Sequence, residues 1–137
     1  MRGVTTCTPS PAGETDRGRP RAYALVAAGS ALGAVLRVLA GWSLGSLLDD
    51  AWSTVIVNVA GCFAIGVVAG LAARRPAMAR WWPLLGPGLL GGFTTFSAFV
   101  VLLDGASELE AALRVVVTLG LCPLAAWLGE KAVTRAN

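Results

Sequence analysis

Hydroxyl-bearing side chains follow a cluster of glycines inside one long apolar stretch of this 137-residue chain. Residues 86–99 read G-P-G-L-L-G-G-F-T-T-F-S-A-F, with Thr95 and Ser97 close behind the glycines. Glycine and proline are poor helix formers, so this sequence predicts an interrupted helix. In a membrane protein, the backbone groups freed by an interruption commonly bind ions. We therefore favour an ion site here over the alternative, which is a kink that serves packing alone.

Three other features of the apolar stretches leave alternatives open. Phe96 and Phe99 are three residues apart and share a helix face, a spacing that alone is typical of core or lipid-facing rings. Asn58 lies between two valines and must find a partner when buried, and an interhelical hydrogen bond explains it as well as an ion site does. Arg37 must snorkel, form an ion pair or line an aqueous vestibule.

Catalytic chemistry has little support in the sequence. The chain has no histidine, which removes the commonest general base and metal ligand. The three cysteines, Cys7, Cys62 and Cys122, have no metal-binding or redox spacing. The hydroxyls within the apolar stretches have no His or Lys beside them, so no nucleophile–base pair is visible. We expect no enzymatic activity, and no nucleic-acid binding because no basic stripe interleaved with aromatics occurs.

Four apolar stretches must position these residues. The chain is 55% hydrophobic and 14% charged, whereas a soluble domain is about 25% charged. The stretches cover residues 22–48, 51–73, 81–103 and about 109–128, each near the ~20 residues that cross ~30 Å of hydrocarbon. We predict an all-α membrane protein with four transmembrane helices, consecutive ones antiparallel, and with the third helix broken at mid-membrane.

The charged residues are distributed unequally between the two ends of these helices. Most basic residues precede the first stretch, lie between the second and third, or follow the fourth, and Arg114 is the exception among those near the helix ends. Five of the eight acidic residues lie at the opposite ends, namely Asp49, Asp50, Asp104, Glu108 and Glu110. By the positive-inside rule, both termini and residues 74–80 face the cytoplasm of a multi-pass protein in the plasma membrane. We predict a disordered cytoplasmic tail over residues 1–21, a four-helix transmembrane domain over 22–131 and a C-terminal tail over 132–137.

Glycines four residues apart occur in three pairs, which are Gly29 with Gly33, Gly41 with Gly45, and Gly66 with Gly70. Such spacing lets helix backbones approach closely. Packing inside one subunit is the simpler explanation for the glycine pairs, and contact between two subunits is the more specific one. Because a four-helix bundle this small has almost no interior of its own, we expect an oligomer.

The sequence G-G-F-T-T-F-S-A-F at residues 91–99 resembles the Fluc family of fluoride channels, also called CrcB. The family pattern is G-G-x-T-T-F-S-T-F, and only Ala98 departs from it. G-A-V-L-R at residues 33–37 and V-N-V-A-G-C-F-A-I-G at residues 57–66 are similar to family motifs in the same order. The resemblance covers everything after the N-terminal tail, with a weak match in the fourth stretch.

The resemblance implies an antiparallel, dual-topology dimer with two narrow pores that export fluoride passively and relieve its toxicity. It implies that Phe96 and Phe99 are pore phenylalanines and that Asn58 is a pore asparagine. Fluoride is small and strongly hydrated, so the pore must replace its water with donors, and Thr95 and Ser97 offer hydroxyls. The positive edge of a phenyl ring can face the anion, while a tight slot between rings rejects chloride by size.

The resemblance also implies a structural sodium ion at the centre of the dimer, held by the backbone carbonyls of Gly91 and Thr94. Arg37 corresponds to the arginine of the family's first helix. The fourth helix of the family carries polar residues along the pore, whereas here Thr118 and Cys122 take those places and Pro123 follows. The polar track on that helix is therefore open to question from the sequence.

The charge bias bears on which partner completes the dimer. A dual-topology protein has weak bias, whereas this chain is strongly biased. We hypothesise that it inserts one way and pairs with a homologous subunit of opposite orientation, with a homodimer as the alternative. A small multidrug exporter is the nearest rival function, but it needs an acidic residue in the first span and residues 22–48 have none. A structural or assembly subunit without transport is the second rival.

Overall fold

The computed structural model describes residues 19–101, 103–104 and 106–135, and the predicted tail at residues 1–18 lies outside them. Every regular element in this part of the chain is helical. The elements are α1 (Arg19–Gly45), α2 (Asp50–Arg74), α3 (Pro76–Ala79), a π-helical segment (Leu84–Leu90), α4 (Gly91–Phe93), α5 (Ser97–Val101) and α6 (Glu108–Arg135). Four stretches of the described chain are long and apolar enough to cross a membrane, at Pro20–Gly45, Asp50–Arg74, Leu84–Val101 and Glu108–Arg135. The prediction of an all-helical chain with four membrane-spanning helices is confirmed.

The helices extend beyond the apolar stretches at both ends of the chain. Helix α1 begins at Arg19, the first described residue, so residues 19–21 form its first turn. Helix α6 continues to Arg135, through most of the predicted C-terminal tail. A helix can continue from hydrocarbon into the headgroup region, because its backbone hydrogen bonds are internal in both. An apolar stretch therefore locates a helix without fixing its ends.

Helix α1 packs closely along the third membrane-spanning stretch, here called the third span (Leu84–Val101), and runs parallel to it. A Cβ atom at Gly33 would overlap the backbone of Leu89, and one at Gly92 would overlap the backbone of Ser30. The Ser30 hydroxyl also donates to the carbonyl of Gly88, at 3.4 Å. The glycines thus permit direct contact between backbones.

Helices α2 and α6 form a second parallel pair. A Cβ at Gly66 would overlap the backbone of Ala126, and the Arg74 guanidinium donates to the carbonyl of Thr134 at 3.2 Å. Residues 60 positions apart in the chain are therefore level with each other along this pair. Among the described elements, α6 packs only against α2, so this one interface positions the whole of α6 within the chain.

The three glycine pairs have different surroundings. Gly29 and Gly33 meet the backbone of the third span, and Gly66 and Gly70 meet that of α6, so packing inside one subunit explains both pairs. A Cβ at Gly41 would meet nothing within 4 Å, and one at Gly45 would meet only a side-chain oxygen of Asp50. The pair formed by Gly41 and Gly45 is thus open on the surface of the chain.

The third span consists of several short helical pieces. Pro87 has no N–H and lies in the π-helical segment, where the Gly91 N–H reaches back to the carbonyls of Gly86 and Gly88. Helix α4 ends at Phe93, and Thr94 has an extended backbone with φ −77° and ψ 149°. Helix α5 then begins at Ser97. Residues 94–96 are thus a non-helical link, here called the interruption.

Arg114, the exception to the charge pattern, is buried at the acidic end of the helices. Its guanidinium lies 2.5 Å from a carboxylate oxygen of Glu110 and 3.4 Å from one of Asp49. It also lies over the ring of Trp52, at 5.9 Å from the ring centroid. Asp49 caps α2 by accepting from the Trp52 N–H at 2.8 Å. The cluster neutralises the arginine and joins the beginnings of α2 and α6.

Candidate functional site

Asn58 of α2 holds the interruption with both ends of its amide. Its Nδ2 donates to the carbonyl of Thr95 at 2.8 Å, and its Oδ1 accepts from the Thr95 N–H at 2.8 Å. The pairing satisfies the N–H and the carbonyl of Thr95, two of the backbone groups that the interruption removes from a helix, as a low-dielectric environment requires. Asn58 therefore makes the interhelical hydrogen bond that was one of its two sequence-based explanations. One hydrogen of its NH₂ group remains beyond this pair.

A glycine in α2 leaves room for the side chains at the interruption. Gly61 lies one turn after Asn58, and a Cβ there would come within 2.5 Å of the Thr94 methyl group and 3.1 Å of the Phe93 ring. The Thr94 hydroxyl donates back to the carbonyl of Leu90 at 3.0 Å. Thr94 therefore turns its methyl group towards α2, and its hydroxyl bonds within its own span. The polar group of Thr94 that remains for other partners is its backbone carbonyl.

The hydroxyl of Thr95 begins the next helical piece. It accepts from the Ala98 N–H at 3.2 Å, as a helix-capping side chain does, and it lies 3.4 Å from the Ser97 hydroxyl. Ser97 is exposed on the chain, whereas Thr95 is half-buried. The two hydroxyls predicted to bind an ion are therefore neighbours, where the interruption meets α5.

The two predicted pore phenylalanines are adjacent but have opposite surroundings. Their ring centroids lie 6.2 Å apart, with the planes tilted by 39°. Phe99 is 3% exposed, whereas Phe96 is 68% exposed. An exposed phenyl ring beside a polar interruption is open to lipid, to a second subunit or to a passing ion.

A cavity of about 880 Å³ opens beside the interruption and is lined by α1, α2 and α5. Its polar lining comprises Arg37, Asp50, Ser53, Thr54, Thr95 and Ser97. Arg37 thus lines a vestibule, which was one of its three sequence-based alternatives, and its Nε is buried without a hydrogen-bond partner in the described chain. The cavity places one cation and one carboxylate between bulk water and the interruption.

Two buried hydroxyls that the sequence analysis did not include as site residues lie along α2 and α6. The Oγ of Ser53 and the Oγ1 of Thr118 are both buried with no hydrogen-bond partner in the part of the chain described. The register of α2 and α6 places Thr118 level with Asn58. Each hydroxyl has an O–H free to donate. Thr118 was recognisable from its position in the fourth stretch, whereas Ser53 had no sequence signal.

Of the two residues expected to hold a cation, Gly91 begins α4 and Thr94 directly follows it. In an uninterrupted α-helix the Gly91 carbonyl would accept from the Thr95 N–H, but that N–H is donated to Asn58 instead. The Thr94 carbonyl follows an extended residue and lies outside the helical ladder. Gly91 is exposed, and a Cβ there would meet only the Gly86 carbonyl, at 3.8 Å. Both carbonyls are oxygen ligands of the kind that alkali cations accept, and Gly91 lies on an exposed surface while Thr94 is half-buried.

The structure gathers the predicted residues around one short link. Asn58, Thr95, Ser97, Phe96 and Phe99 lie at the interruption, and Arg37 lines the cavity that reaches it. Hydrogen-bond donors, phenyl rings and an aqueous vestibule in an otherwise apolar bundle can replace the hydration of a small anion. Within the described residues no group of three or more Cys, Asp or Glu could bind a metal ion.

The sequence profile of a protein family described as CrcB-like protein, Camphor Resistance (CrcB), matches residues 24–130 of this chain. The match runs from α1 to the last turns of α6 and contains every residue of the site.

Individual proteins are similar over most of their length. The fluoride-specific ion channel FluC of Paramagnetospirillum magneticum (strain ATCC 700264 / AMB-1) is 42% identical over 127 residues, which cover 84% of this chain and 97% of that protein. The fluoride-specific ion channel FluC 1 of Rhodopseudomonas palustris (strain BisB18) is 39% identical over 130 residues, covering 88% and 92%. The FluC of Rhizobium etli (strain CIAT 652) is 44% identical over 120 residues, covering 82% and 94%.

Proposed function

This chain belongs to the CrcB family, and from that membership we propose that it is a subunit of a fluoride-selective ion channel. Its similar relatives are named as fluoride-specific ion channels and are matched over nearly their full length. The observation that carries the proposal is the amide of Asn58 bound to the backbone of Thr95 at an interrupted membrane helix. Membership of an ion-channel family agrees with the expectation that the chain is not an enzyme.

Fluoride requires hydrogen-bond donors along its path because its hydration must be replaced. The remaining N–H of Asn58 and the unpartnered hydroxyl of Thr118 lie level with each other on α2 and α6. Thr95 and Ser97 add hydroxyls on the other side of the interruption. We place the anion's path past these groups, with the interruption at the middle of the membrane.

The phenyl rings of Phe96 and Phe99 supply selectivity in this proposal. A ring edge carries the positive part of the aromatic quadrupole, so it attracts an anion without offering a proton or a formal charge. The neighbouring rings form a narrow apolar boundary beside the donors. A larger anion such as chloride would have to separate them, whereas fluoride would not.

The transport is passive and directed outward in our proposal. The first span has no acidic residue for coupling to protons. The cavity lined by Arg37 lies towards the α1–α2 connection, at the acidic ends of the helices, and gives the anion an aqueous exit. The positive-inside rule places the basic ends of the helices, and both termini, in the cytoplasm. Fluoride would then leave the cytoplasm across the plasma membrane whenever its gradient is outward, and toxicity would fall.

A second subunit of opposite orientation completes the pore in this account. The exposed Phe96 ring and the exposed surface of Gly91 suit contact with another chain. The strong charge bias favours a homologous partner of opposite bias over a second copy of this chain. A structural sodium ion fits where the two interruptions meet, because the carbonyls of Gly91 and Thr94 are available and sodium prefers oxygen ligands. Lipid covers the remaining apolar faces.

Fluoride efflux from liposomes tests the function through Phe96. The Phe96→Ile variant keeps apolar bulk but removes the ring edge, and we expect it to abolish fluoride efflux while the protein still folds, since the ring is 68% exposed. The matched control is Phe63→Ile, because Phe63 is also exposed but lies on α2 away from the interruption. Both variants are measured in the preparation in which the unsubstituted chain conducts fluoride. Fluoride efflux from Phe96→Ile as rapid as that from Phe63→Ile would contradict a pore role for Phe96 and favour a structural subunit.

A further inference from the structure

The parallel register of α2 and α6 brings two cysteines to the same level. Gly66 lies against Ala126, Gly70 against Glu130, and Arg74 bonds to Thr134, each pair being 60 positions apart. One turn before Gly66 the same register pairs residue 62 with residue 122, and both are cysteines. The contacts between glycine backbones keep the two helices close at this level.

The same register places the side chains of Cys62 and Cys122 on the facing sides of α2 and α6, each one turn before a residue at the Gly66–Ala126 contact. Both are free cysteines and half-buried. No group of three or more Cys, Asp or Glu that could hold a metal occurs among the described residues, so the two thiols stand without carboxylate help. A pair of soft sulfur ligands in an apolar setting is a distinct chemical feature that neither the ion path nor helix packing requires.

We propose that Cys62 and Cys122 form a binding site for a soft divalent cation that takes two sulfur ligands in line, with Hg²⁺ as the representative ion. Thiolates select soft metals, whereas a structural zinc ion needs four ligands that this site does not have. The reaction is Hg²⁺ + 2 RSH → RS–Hg–SR + 2 H⁺, with both protons released to water and no electrons transferred.

Net charge selects the divalent ion over soft monovalent ions. Two thiolates with one Hg²⁺ give a neutral adduct, which can remain within an apolar bundle. Two thiolates with Cu⁺ or Ag⁺ leave one negative charge, and an unpaired charge in low dielectric is strongly unfavourable. The site is therefore expected to prefer Hg²⁺ over Ag⁺ when the two ions compete.

Bound metal would also affect transport, because each cysteine lies one helical turn after a residue of the proposed ion path. Cys62 follows Asn58 by four positions and Cys122 follows Thr118 by four. A metal bridge would fix the separation of α2 and α6 beside these groups. This consequence for flux rests on the proposed function, whereas metal binding itself does not.

Binding is tested in detergent on the Cys7→Ser variant, which keeps Cys62 and Cys122 as its only thiols. We expect native mass spectrometry to give one Hg²⁺ per chain after addition of mercuric chloride, with both thiols blocked. We expect the adduct to resist a monothiol competitor at concentrations at least about tenfold higher than those that strip either single-cysteine variant, Cys62→Ser or Cys122→Ser.

The matched control combines Cys122→Ser with Leu121→Cys, which preserves two thiols but moves one to an exposed position beside the site. We expect this variant to release mercury as easily as the single-cysteine variants. The proposal that both thiols bind one ion would be wrong if the Cys7→Ser protein bound two Hg²⁺ per chain. It would also be wrong if the control variant retained mercury as well as the Cys7→Ser protein does. Fluoride flux measured on the same samples before mercury is added tests the channel function separately.

Discussion

The amide of Asn58 is committed to the backbone of Thr95 through two hydrogen bonds, and this determines how much of the side chain is left for an ion. A sequence identifies a buried asparagine but not its partner, because the partner lies 37 residues away and is a backbone group. The same limit applies to Ser53 and Thr118, whose unpartnered hydroxyls depend on what surrounds them. The motif at residues 91–99 was sufficient to draw attention to this segment, because glycines and hydroxyls are unusual together in an apolar stretch, while the role of its residues in an ion path stays a prediction.

Replacing Asn58 with alanine should destabilise the protein as well as reduce fluoride flux. The substitution leaves the N–H and the carbonyl of Thr95 unpaired, at a cost of about 1–3 kcal/mol for each group. We expect a lower thermal unfolding midpoint, measured by size-exclusion chromatography after heating in detergent. Ser43→Ala is the control, because the Ser43 hydroxyl bonds only to the carbonyl of Leu39 in its own helix. Unfolding midpoints that are equal in the two variants would contradict the role assigned to the Asn58 amide.

At the scale of elements, the apolar stretches predicted the helices well and the third span incompletely. The second stretch was predicted at residues 51–73 and is observed at Asp50–Arg74, because hydrocarbon thickness sets the length. The π-helical segment with Pro87 was not predicted, since glycine and proline indicate a departure from α-helix without specifying its form. Which glycine pairs pack inside the chain also depended on the tertiary arrangement, as the contrast between Gly33 and Gly41 demonstrates.

Two glycines of α6 provide a matched test of its packing against α2. A Cβ at Gly129 would overlap the carbonyl of Phe63, whereas one at Gly120 would meet nothing within 4 Å. We expect Gly129→Ala to lower the thermal unfolding midpoint. Gly120→Ala should leave it unchanged or raise it slightly, because alanine favours helix over glycine by about 1 kcal/mol. A Gly129→Ala protein as stable as the Gly120→Ala protein would contradict the close approach of the two helices.

At the scale of the molecule, the charge pattern predicts one orientation in the membrane. The parallel arrangement of α2 with α6 puts the basic ends of these helices at the same side, where Arg74 bonds to the last turns of α6. Arg114 does not weaken this bias, because Asp49 and Glu110 neutralise it at the acidic end. The expected oligomer stays a prediction, because a single sequence carries no information on the chain with which it would assemble.

Reporter fusions after Asn137 test the predicted orientation. We expect a green fluorescent protein fusion to fluoresce and an alkaline phosphatase fusion to be inactive, because the first reporter is active in the cytoplasm and the second outside it. The control places the same reporters after truncation at Asp49, where the two activities should exchange. Substantial activity of both reporters after Asn137 would establish dual topology, contradict single insertion and favour a homodimer.

The selectivity of ion flux decides whether this chain is a subunit of a fluoride channel. Efflux of fluoride and of chloride would be measured from liposomes that contain this chain alone, and from liposomes that also contain a homologous subunit of opposite charge bias. We predict fluoride efflux, with chloride retained, in at least one of the two preparations; flux that appears only with the homologue would identify a heterodimer. Chloride efflux as rapid as fluoride efflux, or no fluoride efflux from either preparation, would contradict the assignment of this chain as a fluoride channel subunit.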